Sequence, residues 1–138
     1  MSEPGRTSWR IMRDLVLDHH RRQAVADEVG LSFARTRALL KLADAAEPLT
    51  MRALAERLQT DAPYTTLIVA DLEQRGLVER SVDPRDRRAK IVRTTVAGEA
   101  LARRADKLLD VLPAALTELP AEDLAALDRI LAALRAEG

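Results

Sequence analysis

The sequence predicts one mostly α-helical domain carrying a single small β-hairpin, on three observations. Only Trp9, Phe33 and Tyr64 are aromatic among 138 residues, so Leu, Ala and Val must fill the core. That composition suits packed helices better than packed sheets. Apolar residues recur at helical spacing through most of the chain. Strand-like alternation is confined to residues 77–94, where a cluster of Asp, Pro and Arg interrupts it. The length is that of one domain, enough to bury a real core.

Taken in order, residues 8–28 read as a first helix, with Met12, Leu15, Val16 and His19 on one face and Gly30 as its stop. Ser32 caps a second helix, whose apolar face is Leu39, Leu40, Leu42 and Ala43 and which Pro48 ends. Thr50 caps a short third helix, "MRALAERL", with Leu54, Ala55 and Leu58 inward. After a polar turn at 59–61, Asp61 caps a fourth. Pro63 stands in its first turn, where a missing N–H does no harm, and Gly76 supplies the left-handed position after its end.

Two strands follow. "LVERSV" sets Leu77, Glu79 and Ser81 against Val78, Arg80 and Val82, and "AKIVRT" pairs back across a loop at 83–88. Thr95 caps a long fifth helix from Val96, and Pro113 should kink or break it. Pro120 opens a last helix with a broad apolar stripe, Leu124, Leu127, Ile130, Leu131 and Leu134.

Charge is segregated although 22 basic and 22 acidic residues cancel. Residues 75–93 carry seven basic against three acidic side chains, and residues 106–138 carry three against seven. Any electrostatic attraction is therefore local, and the hairpin is its basic pole. The absence of cysteine excludes disulfides and thiolate metal sites. With no signal-peptide pattern and no membrane-length apolar run, a soluble cytoplasmic protein with no membrane partner is expected. No Ser-His-Asp set, phosphate-cradling glycine loop or metal cluster is visible, so neither an enzyme nor a cofactor is expected. His19 and His20 are adjacent, with no other His or Cys to converge on a metal, and read better as interface histidines.

A short helix, a tight turn, a second helix and a charged hairpin, in that order, make a winged helix-turn-helix arrangement. A two-stranded ribbon tipped with arginine suits phosphate or the minor groove.

Three segments carry a more specific likeness: "LTMRALAERL" (49–58), "DLEQRGLVERSVDPRDRRAKIVRTTVAGEAL" (71–101) and, more weakly, "VGLSFARTRALLKL" (29–42). With L-E-x-R-G-L-V-x-R, then D-P-x-D-x-R, a strand and T-x-x-G, the chain resembles a MarR-family transcriptional regulator over essentially its whole length. The resemblance implies a winged-helix DNA-binding lobe at 32–95 and dimerisation helices at 8–30 and 96–136. It implies a homodimer that binds double-stranded DNA at an inverted repeat, acts as a repressor, and is released by a small-molecule effector. The helix from Ala62 to Arg75 would enter the major groove and the 83–88 loop would be the wing. There Asp86 would fix the loop by pairing with a neighbouring arginine. Arg87, ahead of Arg85, would reach the minor groove, with Arg88 beside them.

Where members often place a Ser/Thr-rich turn followed by Arg, this chain has Pro63, Tyr64, Thr65, Thr66 and Leu67. Ile68, Val69 and Leu72 take the inward stripe, leaving Pro63, Tyr64, Thr66, Leu67 and Ala70 for the groove. Hydroxyl bonds and thymine-methyl contacts are available from such a face, but no bidentate reading of guanine. Family members commonly hold a ligand between the dimer helices and the lobe, and Trp9, Met12, His19 and Phe33 are the candidates to line that pocket. Plainer readings stand beside these. The arginines could be a solvated hairpin tip, Tyr64 and Leu67 could pack on a neighbouring helix, the pocket residues could be ordinary core, and the whole could be a winged-helix module for protein contacts alone.

Overall fold

Four side chains start four helices. The Oγ of Ser32 accepts the N–H of Arg35 at 3.3 Å, Thr50 Oγ1 that of Ala53 at 3.0 Å, Asp61 Oδ1 that of Tyr64 at 2.7 Å, and Thr95 Oγ1 that of Gly98 at 3.1 Å. Each satisfies a main-chain donor that the first helical turn leaves without a partner. The computed structural model describes residues 3–17 and 19–136, with His19 described in its main chain alone. Its order is α1 (Arg6–Val16), α2 (His19–Val29), α3 (Phe33–Asp44), β1 (Leu49–Thr50), α4 (Met51–Leu58), α5 (Ala62–Gln74), β2 (Val78–Asp83), β3 (Asp86–Thr94), α6 (Val96–Leu109), α7 (Ala114–Thr117) and α8 (Ala121–Ala136). None of these helices is long and apolar enough to cross a membrane.

The core lies under α5. Ile68, Val69 and Leu72 share one cluster with Leu39 and Leu42 of α3, Leu54 and Leu58 of α4, Val78 and Val92 of the sheet, Ala102 and Ala105 of α6, and Val25 and Val29 of α2. Small residues on α6 let it lie close, and Gly98 is needed outright. A Cβ there would stand 1.9 Å from the carbonyl oxygen of Leu77. That oxygen is fixed, because it accepts the N–H of Thr95 at 3.0 Å while the Thr95 hydroxyl donates to Gly76 at 2.7 Å. The T-x-x-G segment is thus a weld between the hairpin and α6.

Three elements depart from the sequence reading. The single helix expected at 8–28 is two, α1 and α2. Val25 and Val29 anchor α2 in the core, whereas α1 buries no residue. Arg22 donates to the Val16 carbonyl at 3.3 Å, so one open carbonyl at the break is satisfied. No Gly or Pro marks the site.

The sheet has three strands rather than two, ordered β1-β3-β2 and antiparallel, because Leu49 and Thr50 pair with Val92 and Ile91. A two-residue strand that runs straight into a helix cap shows no alternation to read. The loop expected at 83–88 is mostly strand: β2 runs to Asp83, β3 restarts at Asp86, and Pro84 and Arg85 alone make the turn. The ladder slips on the way, since Val82 faces Lys90 while Asp83 faces Asp86. Arg87, Arg88 and Ala89 therefore form a bulge on β3. At Pro113 the structure takes the break that the sequence allowed, with the short α7 between it and α8, which starts behind Pro120.

Candidate nucleic-acid interface

Helix α5 divides its residues sharply. Thr65 and Ile68 are 0% and 1% exposed, whereas Tyr64 and Leu67 are 42% and 57% exposed. Pro63 and Thr66 share the open face and Ala70 is half-buried. Tyr64 and Leu67 thus present much of their surface to solvent. The Thr65 hydroxyl donates to the Asp61 carbonyl at 2.8 Å, so this polar side chain is buried with its donor satisfied. Thr66 donates to the Ala62 carbonyl at 2.9 Å. Its hydroxyl hydrogen is committed, and its oxygen faces outward as an acceptor.

Two acidic residues at the far end of α5 hold that helix in place. Asp71 accepts the Nε of Arg35 at 2.7 Å and the Nε of Arg75 at 2.9 Å, and Arg75 also donates to the Gly30 carbonyl at 3.2 Å. Partial burial pushes the Asp71 pKa up, but the hydrogen bonds and charges of Arg35 and Arg75 outweigh it and hold the carboxyl below its ordinary value. Glu73 reaches the sheet, accepting the Nη2 of Arg80 at 2.9 Å, its Nε at 3.2 Å and its backbone N–H at 3.1 Å. Those bonds, side chain first, lower the Glu73 pKa as well, and the charge of Lys90 adds to them. Sequence reasoning used "DLEQRGLVER" as a signature without seeing that its Asp71, Glu73, Arg75 and Arg80 are the fasteners. The available signal was the i, i+4 spacing of Asp71 and Arg75.

The clamp at Glu73 and the hub at Asp71 sort the arginines of the basic pole. Arg75 and Arg80 are held internally. Arg85, Arg87 and Arg88 are exposed, and among the described residues their side chains have no hydrogen bond or ion pair. Asp83 and Asp86 do not neutralise them. Asp83 takes the backbone N–H of Arg85 at 2.9 Å and Asp86 that of Arg88 at 3.0 Å. Asp86, expected to pair with an arginine side chain, instead folds the main chain of the tip. The guanidinium groups are left facing outward.

Residues 29–89, from the end of α2 through the wing, match the model of the MarR family. Over that stretch, a little under half of its length, the chain is similar to the MarR family. Solved structures share its fold along nearly the whole length. Wild-type MarR from E. coli in its apo form superposes with a TM-score of 0.80 at 23% identity, covering 97% of each chain. A mutant of S. aureus MepR gives 0.76 at 21%, covering 96% of this chain and 97% of the other. The S. aureus MepR–DNA complex gives 0.62 at 21%, over 93% and 98%. No curated protein sequence matches the chain.

In this chain a cleft of about 830 Å³ opens between the end of α1, α2, α3 and α6. Val16, Phe33, Leu40, Ala102 and Leu109 give it an apolar lining, and charges of both signs line it too: Arg22, Arg37, Lys41 and Arg103 with Asp44, Glu99 and Asp106. The Arg22 guanidinium lies over the Phe33 ring at 4.8 Å. Of the residues expected to line a pocket, Phe33 does. Trp9, 62% exposed, and Met12 ride on α1 and do not line the cleft, although Val16 at the end of that helix does. The His19 side chain lies outside the described residues.

Proposed function

We propose that the protein is a DNA-binding transcription regulator that acts as a homodimeric repressor on an inverted repeat. The observation that carries this reading is the pairing of an open α5 face with three arginines left without internal partners on the adjoining wing. In this reading α5 lies in the major groove. Leu67 and Ala70 contact thymine methyls, Tyr64 supplies a hydroxyl, and Thr66, with its hydrogen committed, accepts from an adenine or cytosine amino group. Arg87 of the wing enters the minor groove of the flank. With no arginine on the α5 face, specificity leans on shape as much as on direct contacts. A small-molecule effector is proposed for the cleft over Phe33, where an apolar lining with charged side chains suits a ligand with one polar end.

The test is retardation of bulk duplex DNA across a salt series, followed by selection of bound sequences from a random pool. A regulator retards DNA at low salt, loses affinity steeply as salt rises, and returns a palindrome with half-sites about 10 base pairs apart. An interaction module used only for protein contacts leaves the DNA unshifted and sinks the proposal.

A further inference from the structure

Beside α5, between α4 and the wing, a second cationic surface faces solvent. A groove of about 440 Å³ runs between the first turn of α4 and the base of the wing, lined by Thr50, Arg52, Thr66, Arg88 and Lys90 with Arg80 at its back. Its sheet wall follows from the register. Val82, Arg80 and Val78 pair with Lys90, Val92 and Thr94, so these residues share one face of the ribbon. Val78 and Val92 spend that face on the core, Arg80 seals the core's edge against Glu73, and Lys90 continues the same face into the open groove. The bulge lets Arg88 line the same groove.

The charges in the groove are not equivalent. Arg80 is committed to Glu73. Arg52 has one partner, Glu56, at 3.5 Å with both side chains largely in water, a pairing worth little. Arg88 and Lys90 are exposed and, among the described residues, make no side-chain bond or ion pair. Cations from two separate elements thus converge on one space, beside a helix face that also presents an acceptor-only Thr66. Convergent like charges repel unless an anion lies between them.

We infer that this groove holds one backbone phosphodiester of the DNA strand bordering the major groove, gripped from the α4 side by Arg52 and from the wing side by Lys90 and Arg88. The inference rests on the DNA-binding reading and adds a contact that carries no sequence information. It gives Arg88 a different task from Arg87: phosphate grip, not groove reading. It also joins wing to α4 through the DNA, so a strand seated in the groove fixes the wing's angle.

Two exposed substitutions, Arg52→Gln and Lys90→Gln, test it on the selected duplex. The groove holds one phosphate per subunit and two per dimer, so the double variant should shrink the slope of log affinity against log salt by about 2, at roughly 0.9 per phosphate, and each single variant by a part of that. Base preference and flank preference should stay as in wild type, and thermal melting should not move. Replacing the phosphates of one half-site singly by methylphosphonate should then locate the contact. At one position wild type loses affinity, whereas Lys90→Gln loses little more. Wild-type slopes in both variants, with no phosphate behaving so, overturn the clamp while the wild type still binds DNA. A wild type that retards no DNA at any salt overturns the reading beneath it.

Discussion

Helices α3 to α6 and the helices at the two ends of the chain draw on similar apolar residues, yet they spend them differently. In α3, α4, α5 and α6 the leucines, valines and alanines of the inward stripe are sealed. In α1, α7 and α8 no residue is buried. Ile130 and Leu134 of α8 are 49% and 54% exposed, and Leu15 and Val16 of α1 each 68%. One chain satisfies the pattern of the lobe. The pattern of the ends asks for a surface that the chain does not contain, and a second copy offering the same ends is the occupant we propose.

The largest expected effect breaks that contrast directly. Ile130→Glu with Leu134→Glu places charge on side chains already exposed in the single chain, so the lobe should fold normally. If the ends meet across a two-fold axis, light scattering should report a monomer, and tight binding to an inverted repeat should fall about a hundredfold or more. A folded double variant that remains dimeric would remove the ends from the interface.

Within the lobe the sharpest contact is the weld at Gly98. Gly98→Ala forces a methyl group onto a main-chain oxygen, so the hairpin and α6 must part. The expected cost is about 3 kcal/mol, at the upper end for overpacking, read as a melting temperature lower by roughly 10 °C. An unchanged melt would mean that α6 can slide without consequence, and the lobe would then be no more tightly joined than the ends.

What could be read in advance follows the same division. Ser32, Thr50, Asp61 and Thr95 were legible because a cap acts over three residues, and Ile68, Val69 and Leu72 because their stripe closes on its own chain. The break between α1 and α2 was not legible, since no Gly or Pro marks it and apolar residues at helical spacing run up to it. The wing tip was read as a loop because the ladder from Asp83 to Asp86 depends on register, and on carboxylates bonding to the main chain. The link from Arg35 to Asp71 spans 36 positions and leaves no periodic trace.

That link gives a smaller effect with a defined pH dependence. The Asp71 carboxyl is held below its ordinary value, so its contribution is present in full above the unfolded pKa, near 4, and is lost as pH falls through the folded one. Asp71→Asn should therefore melt below wild type at neutral pH, and the two melting curves should converge as pH drops below about 4. A constant gap down to low pH would show that the side chain's shape, and not its charge, holds α5 to α3.

The smallest effect leaves folding untouched and concerns the wing tip. Arg87 sits in the bulge of β3, exposed and without a side-chain partner among the described residues. Arg87→Ala should melt like wild type, because nothing within the chain is lost. If its guanidinium enters the minor groove, the salt slope should fall by about 2 per dimer, one contact from each wing. The narrow groove of A·T-rich flanks should also lose its advantage over G·C-rich ones. Preference at the positions facing Tyr64, Thr66 and Leu67 should survive, since α5 does not lean on the tip. Asp86 sharpens the test. Because it holds the backbone N–H of Arg88, which alanine keeps, Arg88→Ala leaves the tip folded, and the costs of Asp86→Ala and Arg88→Ala should add. A full salt slope and an intact flank preference in Arg87→Ala would pass the groove assignment to Arg85, which lies in the two-residue turn itself.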